Sequence, residues 1–363
     1  MTDNVPRSLF RVVHVASGRE WRGGQRQVVY LARALAARGI PQVVVTGGGS
    51  RLARELASAA VPVLPCGWTA ALDPRVLLAI RRAVRTAGPP VILHAHDPHA
   101  LVLAALGAWG HRIPLVVTRR VDFPLRRLWP WRRATRIVAI SEAVRRVLVA
   151  GGIAADLVTV VPSGIPLDTP PPAPLDLRQR LSLPPTARLA VSVGALVGHK
   201  DYSTLIGAAA RLRERHPGLH WVLAGDGPEH GFLAELARRL GVDARVHLLG
   251  QVDEGRAVIA AGDLFVVSSR EEGLNTSVLD AMQLGVPVVS TDAGGLPEAV
   301  GDAGVLCRRG DANLLAQAVA GLLEDPARQA TLRARGRERV TRFSSDRMAE
   351  GMLPVYHSVA PAT

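Results

Sequence analysis

Short apolar runs alternate with helix-spaced patterns almost from end to end of this chain, which is the pattern of a parallel α/β protein. Arg11–Ala16 reads as a first strand. Gly18, Gly23 and Gly24 follow, then a helix from about Gln25 to Arg38 that stops at Gly39. Further strands are predicted at Gln42–Thr46, Val91–Ala95, Leu115–Thr118, Arg136–Ile140 and Leu157–Val161, with helices between most of them. The segment Pro162–Pro174, PSGIPLDTPPPAP, is the clearest linker, because its prolines suit neither helix interiors nor central strands. The alternation then restarts, with strands at Arg188–Val193, Leu219–Ala224, Arg245–Leu249 and Leu264–Val267 and helices at Tyr202–Arg215 and Glu229–Leu240. From Asp311 onward the pattern is helical, with a break near Phe343–Ser345 and a last helix over Asp346–His357. The expectation is two doubly wound, Rossmann-like α/β domains, residues 1–172 and 173–343, with ligand bound in the cleft they face.

One stretch carries the densest pattern. Asp263–Gly301 reads as strand, acidic turn, helix, strand, and then a glycine turn into a second short helix. Asn275 or Thr276 can cap a helix whose apolar positions Val278, Leu279, Met282 and Leu284 keep helical spacing up to Gly285. Glu272 lies in the loop before this helix and Asp280 inside it, with unpaired N–H groups of the first turn expected between them. That arrangement suits phosphate, flanked by carboxylates that suit sugar and ribose hydroxyls.

A chain of 363 residues exceeds what one hydrophobic core usually serves, and 48% apolar content argues against disorder. The formal charge of +13 admits anionic substrates, anionic lipid or nucleic acid; an arginine-rich composition inherited from a GC-rich genome accounts for it equally well. Cys66 and Cys307 are the only cysteines, which favours a reducing compartment, and no stretch has the apolar length of a membrane span or the pattern of a signal peptide. A cytoplasmic protein is expected, with any membrane contact peripheral to the inner face of the plasma membrane.

Among the candidate chemical groups, Lys200 stands out as the only lysine among 44 basic residues, on the glycine-bearing loop that begins at Gly194. A compact ammonium suits a buried phosphate contact that a guanidinium would crowd. The turn Gly225-Asp226-Gly227-Pro228 is mostly structural on its own reading. Gly23-Gly24 allows close approach of an anion to the backbone or simply makes a tight turn. His94, His96, Asp97 and His99 cluster at a strand end; strand-to-loop geometry is expected to scatter them, so no metal site is assigned, and His96 or Asp97 is placed on the cleft wall. Arg119–Arg136, RRVDFPLRRLWPWRRATR, interleaves arginine with aromatics and suits an anionic membrane surface or acceptor. Nucleic acid would use the same residues, but no recognised nucleic-acid module accompanies them.

Taken together, these residues resemble the GT-B-fold retaining glycosyltransferases of family four, over nearly the whole chain. The resemblance rests on Gly23-Gly24, His94-Ala95-His96, Val161-Pro162-Ser163-Gly164, Gly194 to Lys200, Gly225 to Pro228, Glu272 with Asp280, and Gly294-Gly295-Leu296-Pro297-Glu298. It implies transfer of a sugar from a nucleotide diphosphate sugar to an acceptor hydroxyl, with retention; the basic aromatic stretch suggests a glycan or glycolipid acceptor in cell-envelope or lipopolysaccharide-type synthesis, and with Lys200 and backbone N–H groups to carry the charge and no DxD-like carboxylate pair, no metal or other cofactor is expected. Lys200 would bind the diphosphate, with Gly194 and Gly225 lining the donor site. Glu272 would meet donor-sugar hydroxyls. Gly273, Leu274, Asn275 and Thr276 would offer backbone N–H groups, Asp280 would hold ribose, and His247–Val252 would lie against the base. Gly23, Gly24, His96, Asp97 and Arg120 would form the acceptor side, and Glu272, Lys200 and Arg120 would be the catalytic groups. The final helix, 344–363, would pack back on the first domain. There are four departures from the family. Asp280 replaces a glutamate, and Ala195 stands where an arginine is common, with Arg270 the candidate substitute. Arg120 replaces a histidine, and Gln25 stands where an acid is common. A sugar-nucleotide epimerase or hydrolase, a pyridoxal-phosphate phosphorylase holding its cofactor on Lys200, and a non-enzymatic basic binding protein are the rival readings.

Overall fold

The computed structural model describes residues 10–17, 21–70, 72–88, 90–110, 113–125 and 128–360. Gly18, Arg126, Arg127, the first nine residues and the last three lie outside them. Two compact units are present, one formed by Met1–Pro166 with Ser344–Thr363 and the other by Leu167–Phe343. The chain leaves the first unit at Pro166, inside the proline-rich segment and a few residues before position 172.

The first unit is built on seven parallel strands: β1 (Arg11–Val15), β2 (Gln42–Gly47), β3 (Val63–Cys66), β4 (Val91–Ala95), β5 (Leu115–Arg119), β6 (Arg136–Ala139) and β7 (Val158–Val160), in the order β3-β2-β1-β4-β5-β6-β7. The central strands β4 and β5 are buried at every residue. That is why both open with apolar residues on both faces, Val91–Leu93 and Leu115–Val117, rather than alternating ones, with polar groups only toward their C-terminal ends. The second unit has six parallel strands: β8 (Arg188–Val193), β9 (Leu219–Ala224), β10 (Val246–Leu248), β11 (Leu264–Val267), β12 (Val288–Thr291) and β13 (Gly304–Cys307), ordered β10-β9-β8-β11-β12-β13. Trp221 and Leu223 of β9 pack there with Leu205, Ile206 and Leu315 from the flanking helices.

The apolar pattern did not reveal β3 and β13. Both are four-residue edge strands with no fully buried position, and β3 contains Pro65. An edge strand needs neither a two-sided apolar run nor every ladder N–H, so its pattern is weak. β12 begins at Val288, after Pro287, whose carbonyl accepts from Phe265 N.

The helix Ser345–Val359 belongs to the first unit. Met348, Ala349, Met352, Val355, Tyr356 and Val359 are buried with Phe10, Leu31, Leu35 and Ile92. Its entry is pinned at Gly164-Ile165. Ser345 N donates to Ile165 O at 2.8 Å. The Gln27 amide donates to Gly164 O and accepts from Gly164 N, at 2.8 and 3.1 Å. No helix among the described residues is long and apolar enough to cross a membrane.

Candidate active site

In the second unit the chemistry gathers at the C-terminal strand ends, where a parallel sheet presents ligands. β8 runs into Gly194 and a 3₁₀ turn, Gly198–Lys200. Asp201 then adopts a left-handed conformation (φ 48°) and caps helix Tyr202–Leu212 through Thr204. The turn aims Lys200 at the loop after β11, where its ammonium donates to the Glu272 carboxylate. Asn275 Nδ2 donates to the same carboxylate oxygen at 3.0 Å. Lys200 and Glu272, 72 positions apart, keep only 20% and 13% of their side-chain surface exposed. Shielding from water strengthens the attraction within the pair and makes either charge costly to leave alone. Ser192, Tyr202, Ser268 and Ser269 line the pocket beside Lys200. Tyr202 is buried and bonded to Ser192, and burial raises its phenol above the ordinary value.

The glycine turns form the floor of this site. Gly225 (φ 142°) lies so close to the first loop that a Cβ on it would stand 1.9 Å from Gly194 O. Gly225 N donates to Gly250 O, and Leu196 N to Asp226 O. Gly225-Asp226-Gly227 thus stitches three strand-end turns together, a structural role. Gly295 likewise braces the acidic turn, its N–H donating to Glu272 O at 2.8 Å.

Three expectations change here. The helix cap is Asn275, in a left-handed conformation (φ 69°), and its Oδ1 accepts from the N–H groups of Ser277 and Val278. Those two donors of helix Thr276–Gln283 are therefore paired rather than open, each satisfied by the Asn275 amide oxygen. Asp280 is only 2% exposed and faces Arg256, whose Nε lies 3.6 Å from Asp280 Oδ1. It is sunk against a cation instead of flanking an open cradle. Arg256, on helix Gly255–Ala260, also donates to Gln283 at 3.0 Å, and the sequence offered no reason to single it out. Third, Arg270 does not join the Lys200 pocket in place of the arginine absent at Ala195. It donates to Asp201 at 2.7 Å and lines a separate groove of about 660 Å³ with Gly198, His199, Glu271, Arg309 and Gly310. Of the remaining candidates, Gly273 and Leu274 are buried, and Val252 is half-buried on the loop after β10. His247 of β10 stacks on His220 of β9.

In the first unit, the histidines of β4 are not scattered. The parallel register sets His14 of β1 beside His94, and His96 turns back to join them, with His94 and His96 ring centroids 4.0 Å apart. Their hydrogen bonds fix a chain of tautomers. Gln42 donates its amide to Ala32 O, so its Oε1 accepts from His14 Nε2–H. His14 Nδ1 is then the acceptor for His96 Nε2–H at 2.9 Å. That leaves His96 Nδ1 bare to accept from Arg120 Nη2 at 3.2 Å. His94 is held by Tyr356 Oη and Thr118 Oγ1 at 2.7 and 2.8 Å. His14, His94 and His96 bring their ligand atoms within 4.8 Å of one another. A cation there would face the Arg120 guanidinium and, since both nitrogens of all three rings are already hydrogen-bonded, would break one bond of each ring, so this donor set suits neutral imidazoles better than a metal. His14 and Tyr356 were missed by sequence reasoning, although a single polar residue inside the apolar run RVVHV was a signal.

Asp97 is no open wall residue. Its Oδ1 caps helix Pro98–Gly107 through His99 N and Ala100 N, and its Oδ2 accepts from Ser17 N at 2.7 Å. His99 stands apart from the cluster, at the exposed start of that helix. Gly23 and Gly24 open helix Gly23–Ala37, and the Arg120 stem lies against Gly24. The Arg119–Arg136 stretch divides in two. Arg119 is buried, bonded to the Val121 and Phe123 carbonyls and set over the Trp131 ring. Trp129 is exposed, as is Trp109, over which Arg133 lies.

Burial lowers the pKa of His14 to about 4 and those of His94 and His96 well below the ordinary 6.5, with the Arg120 charge acting in the same direction. Between about 6.5 and 4 the unfolded chain therefore binds more protons than the folded one, and stability falls as pH falls. For His14 alone the loss is about 3 kcal/mol once both values are passed. Urea melts at pH 7.0 and 4.5 are expected to show the midpoint dropping, and a level midpoint would contradict a neutral buried cluster.

Two Rossmann-like units, one carrying a half-buried lysine–glutamate pair at its strand ends, are the architecture of a GT-B type of α/β glycosyltransferase. Comparison with known proteins agrees. The model of glycosyltransferase family 4 matches residues 21–169, and that of glycosyl transferases group 1 matches residues 175–339. The lipopolysaccharide core biosynthesis glycosyltransferase LpsE of Rhizobium meliloti (strain 1021) is 31% identical over 362 residues, 96% of this chain and 99% of LpsE. The 2-deoxystreptamine glucosyltransferase of Streptomyces kanamyceticus is 29% identical over 263 residues, 69% of this chain and 66% of that protein. Among solved structures, Anabaena HepE in complex with UDP-glucose matches with a TM-score of 0.83 at 22% identity, covering 96% of this chain and 99% of that one. The lipopolysaccharide outer core galactosyltransferase WaaB matches at 0.71 and 15% identity, covering 96% and 99%. The chain belongs to the group 1 glycosyltransferases and is a glycosyl-transferring enzyme.

Proposed function

We propose that this enzyme takes a hexose from a nucleoside diphosphate sugar, with a uridine nucleotide the first candidate, and passes it with retention to an acceptor hydroxyl in lipopolysaccharide-type synthesis. The observation that carries the reading is the shielded Lys200–Glu272 pair beside the N-terminus of helix Thr276–Gln283. In the bound state the ammonium would turn to the diphosphate while Glu272, freed from it, would accept from sugar hydroxyls. The bond from the anomeric carbon to the phosphate oxygen breaks, with its electron pair leaving on the diphosphate, where Lys200 stabilises the developing charge. The acceptor oxygen forms the new bond on the same face, and its proton passes to the departing phosphate oxygen. No metal is required in this scheme, since the cation is the lysine. Gly194 and Gly225 let the backbone approach the diphosphate, Gly273, Leu274, Asn275 and Thr276 form the sugar side, and Val252 lies toward the base. Asp280 is the ribose-side acid, held by Arg256.

HepE in complex with UDP and with UDP-glucose supports a uridine donor, and the names of LpsE and WaaB support a lipopolysaccharide-type acceptor. The exposed Trp109 and Trp129 beside Arg132 and Arg133 suit peripheral contact with an anionic membrane at the cytoplasmic face. Thermal melts with UDP, GDP, ADP and CMP sugars test the donor: one nucleotide class is expected to raise the melting temperature in a concentration-dependent way. A flat response to all four would overturn the donor assignment. Donor turnover that runs equally fast without any acceptor would point to hydrolysis instead.

A further inference from the structure

Helix Gly255–Ala260 lies against helix Thr276–Gln283, and Arg256 is the side chain that grips its neighbour. Asp280 and Gln283 are three positions apart and so share one side of their helix. Arg256 spans the two. Its Nη2 donates to Gln283 Oε1 at 3.0 Å, and its Nε lies 3.6 Å from Asp280 Oδ1. Gln283 is fixed in turn, its own amide donating to Leu167 O at 3.2 Å. The side chains of Arg256 and Asp280 keep 13% and 3% of their surface exposed. Arg256 Nε is buried without a hydrogen-bond partner, because 3.6 Å is just too long for a bond to Asp280.

Stability is a weak reason for such a pair. Replacing a buried ion pair by apolar side chains of similar volume is often neutral or stabilising, whereas removing one charge alone is costly. What the pair supplies is a carboxylate kept ionised, since an opposite charge alongside favours the charged form of a buried acid. A hydroxyl donates to an ionised carboxylate about twice as strongly as to a neutral acceptor. An aspartate has one torsion fewer than a glutamate, so a short carboxylate beside a fixed cation is also confined in direction. A small shift of that carboxylate would complete the bond that Arg256 Nε lacks.

We infer that Arg256 is a positioning residue that holds Asp280 for the donor's ribose and thereby sets a preference for a ribonucleotide over a deoxyribonucleotide. The inference rests on the transferase reading above, in which Asp280 is the ribose-side acid, and it names the residue that makes this acid selective. Arg256 acts through Asp280 and need touch no part of the donor. A ribose hydroxyl would donate to the carboxylate. A sugar lacking that hydroxyl would bury the carboxylate without a donor, which is how a site built to bond a hydroxyl rejects its absence.

Calorimetry on the full-length protein compares UDP with its 2′-deoxy and 3′-deoxy forms in the wild type, Arg256→Gln and Arg256→Lys. The wild type is expected to prefer UDP over at least one deoxy form by roughly tenfold or more, the worth of one hydrogen bond to a charged group. Arg256→Gln should shrink that preference to within about threefold by weakening UDP, while the same deoxy form keeps its affinity within about twofold. Arg256→Lys, which keeps the charge but not the fork, should lie between the two. An arginine with a merely structural role would lower UDP and deoxy affinities together. That outcome, or a preference in Arg256→Gln equal to the wild type's, overturns the inference. Should Arg256→Gln not fold, the same two outcomes in Arg256→Lys decide. A wild type that binds UDP with no preference also refutes it, because Asp280 then meets no ribose hydroxyl, and the donor reading survives. If the thermal melts select another base, that nucleotide and its deoxy forms replace UDP. A wild type that binds none of UDP, GDP, ADP and CMP defeats the donor reading and this inference with it.

Discussion

Lys200→Ala is expected to lower the rate of sugar transfer by roughly two to three orders of magnitude, the range seen when one donor to a developing oxyanion is removed. The chain has no second lysine, and the nearest arginine on the same loops, Arg270, is bonded to Asp201 instead. Glu272 would keep only Asn275 of its two named partners, so the sugar side of the pocket loosens together with the phosphate side. Lys200→Arg should recover little. The pocket is lined by Ser192, Tyr202, Ser268 and Asn275, and a planar fork needs room that a compact ammonium does not. Initial rates at saturating donor, with calorimetric UDP affinity alongside, separate a catalytic loss from a binding loss. Full transfer activity in Lys200→Ala would refute the role given to this residue.

Gly164→Ala is expected to destabilise the first unit by about 4 kcal/mol, among the larger effects of any point substitution. An added Cβ would stand 2.2 Å from Ser344 O and 2.8 Å from Ser345 N, both backbone atoms, so no side chain can yield to relieve it. The displaced element would be helix Ser345–Val359, whose Tyr356 holds His94 and whose apolar face covers Phe10 and Ile92. The damage should therefore reach the histidine cluster as well as the melting temperature, which is expected to fall by roughly 10 °C. Gly218→Ala, where an added Cβ meets nothing within 4 Å, is the control and should stay within about 1 kcal/mol. A Gly164→Ala protein melting like the wild type would show that the helix is not pinned there.

The parts of the fold that could be read in the chain are those whose signal is local. Leu264–Val267 is a continuous apolar run and Val91–Ala95 is one broken only by His94, because both faces of each strand are covered, and the structure places strands at the same residues. Thr276–Gln283 shows its apolar spacing and its cap within a few positions of each other. The edge strands Val63–Cys66 and Gly304–Cys307 lack that signal, because an edge position is only half covered and tolerates a proline.

The site divides along the same line. Lys200 was conspicuous because it is the one lysine, and Glu272 because it sits in a loop ahead of a helix. Neither fact places one against the other, and that contact depends on the parallel pairing of β8 with β11. The partners of Asp280 and Arg120 were equally beyond a linear reading. Arg256 meets Asp280 from a separate helix 24 positions earlier, and His14 reaches His96 only because β1 lies beside β4. Two doubly wound units, the glycine turns between strand and helix, and the lysine and glutamate of the second unit's strand ends are legible along the chain, because each is a local pattern. Tertiary structure alone decided which charges are paired and which are left over, because pairing depends on distances across the sheet rather than along the chain. On that basis Lys200 has a carboxylate partner, Asp280 is held by Arg256, and Arg120 is bonded twice to the neutral His96.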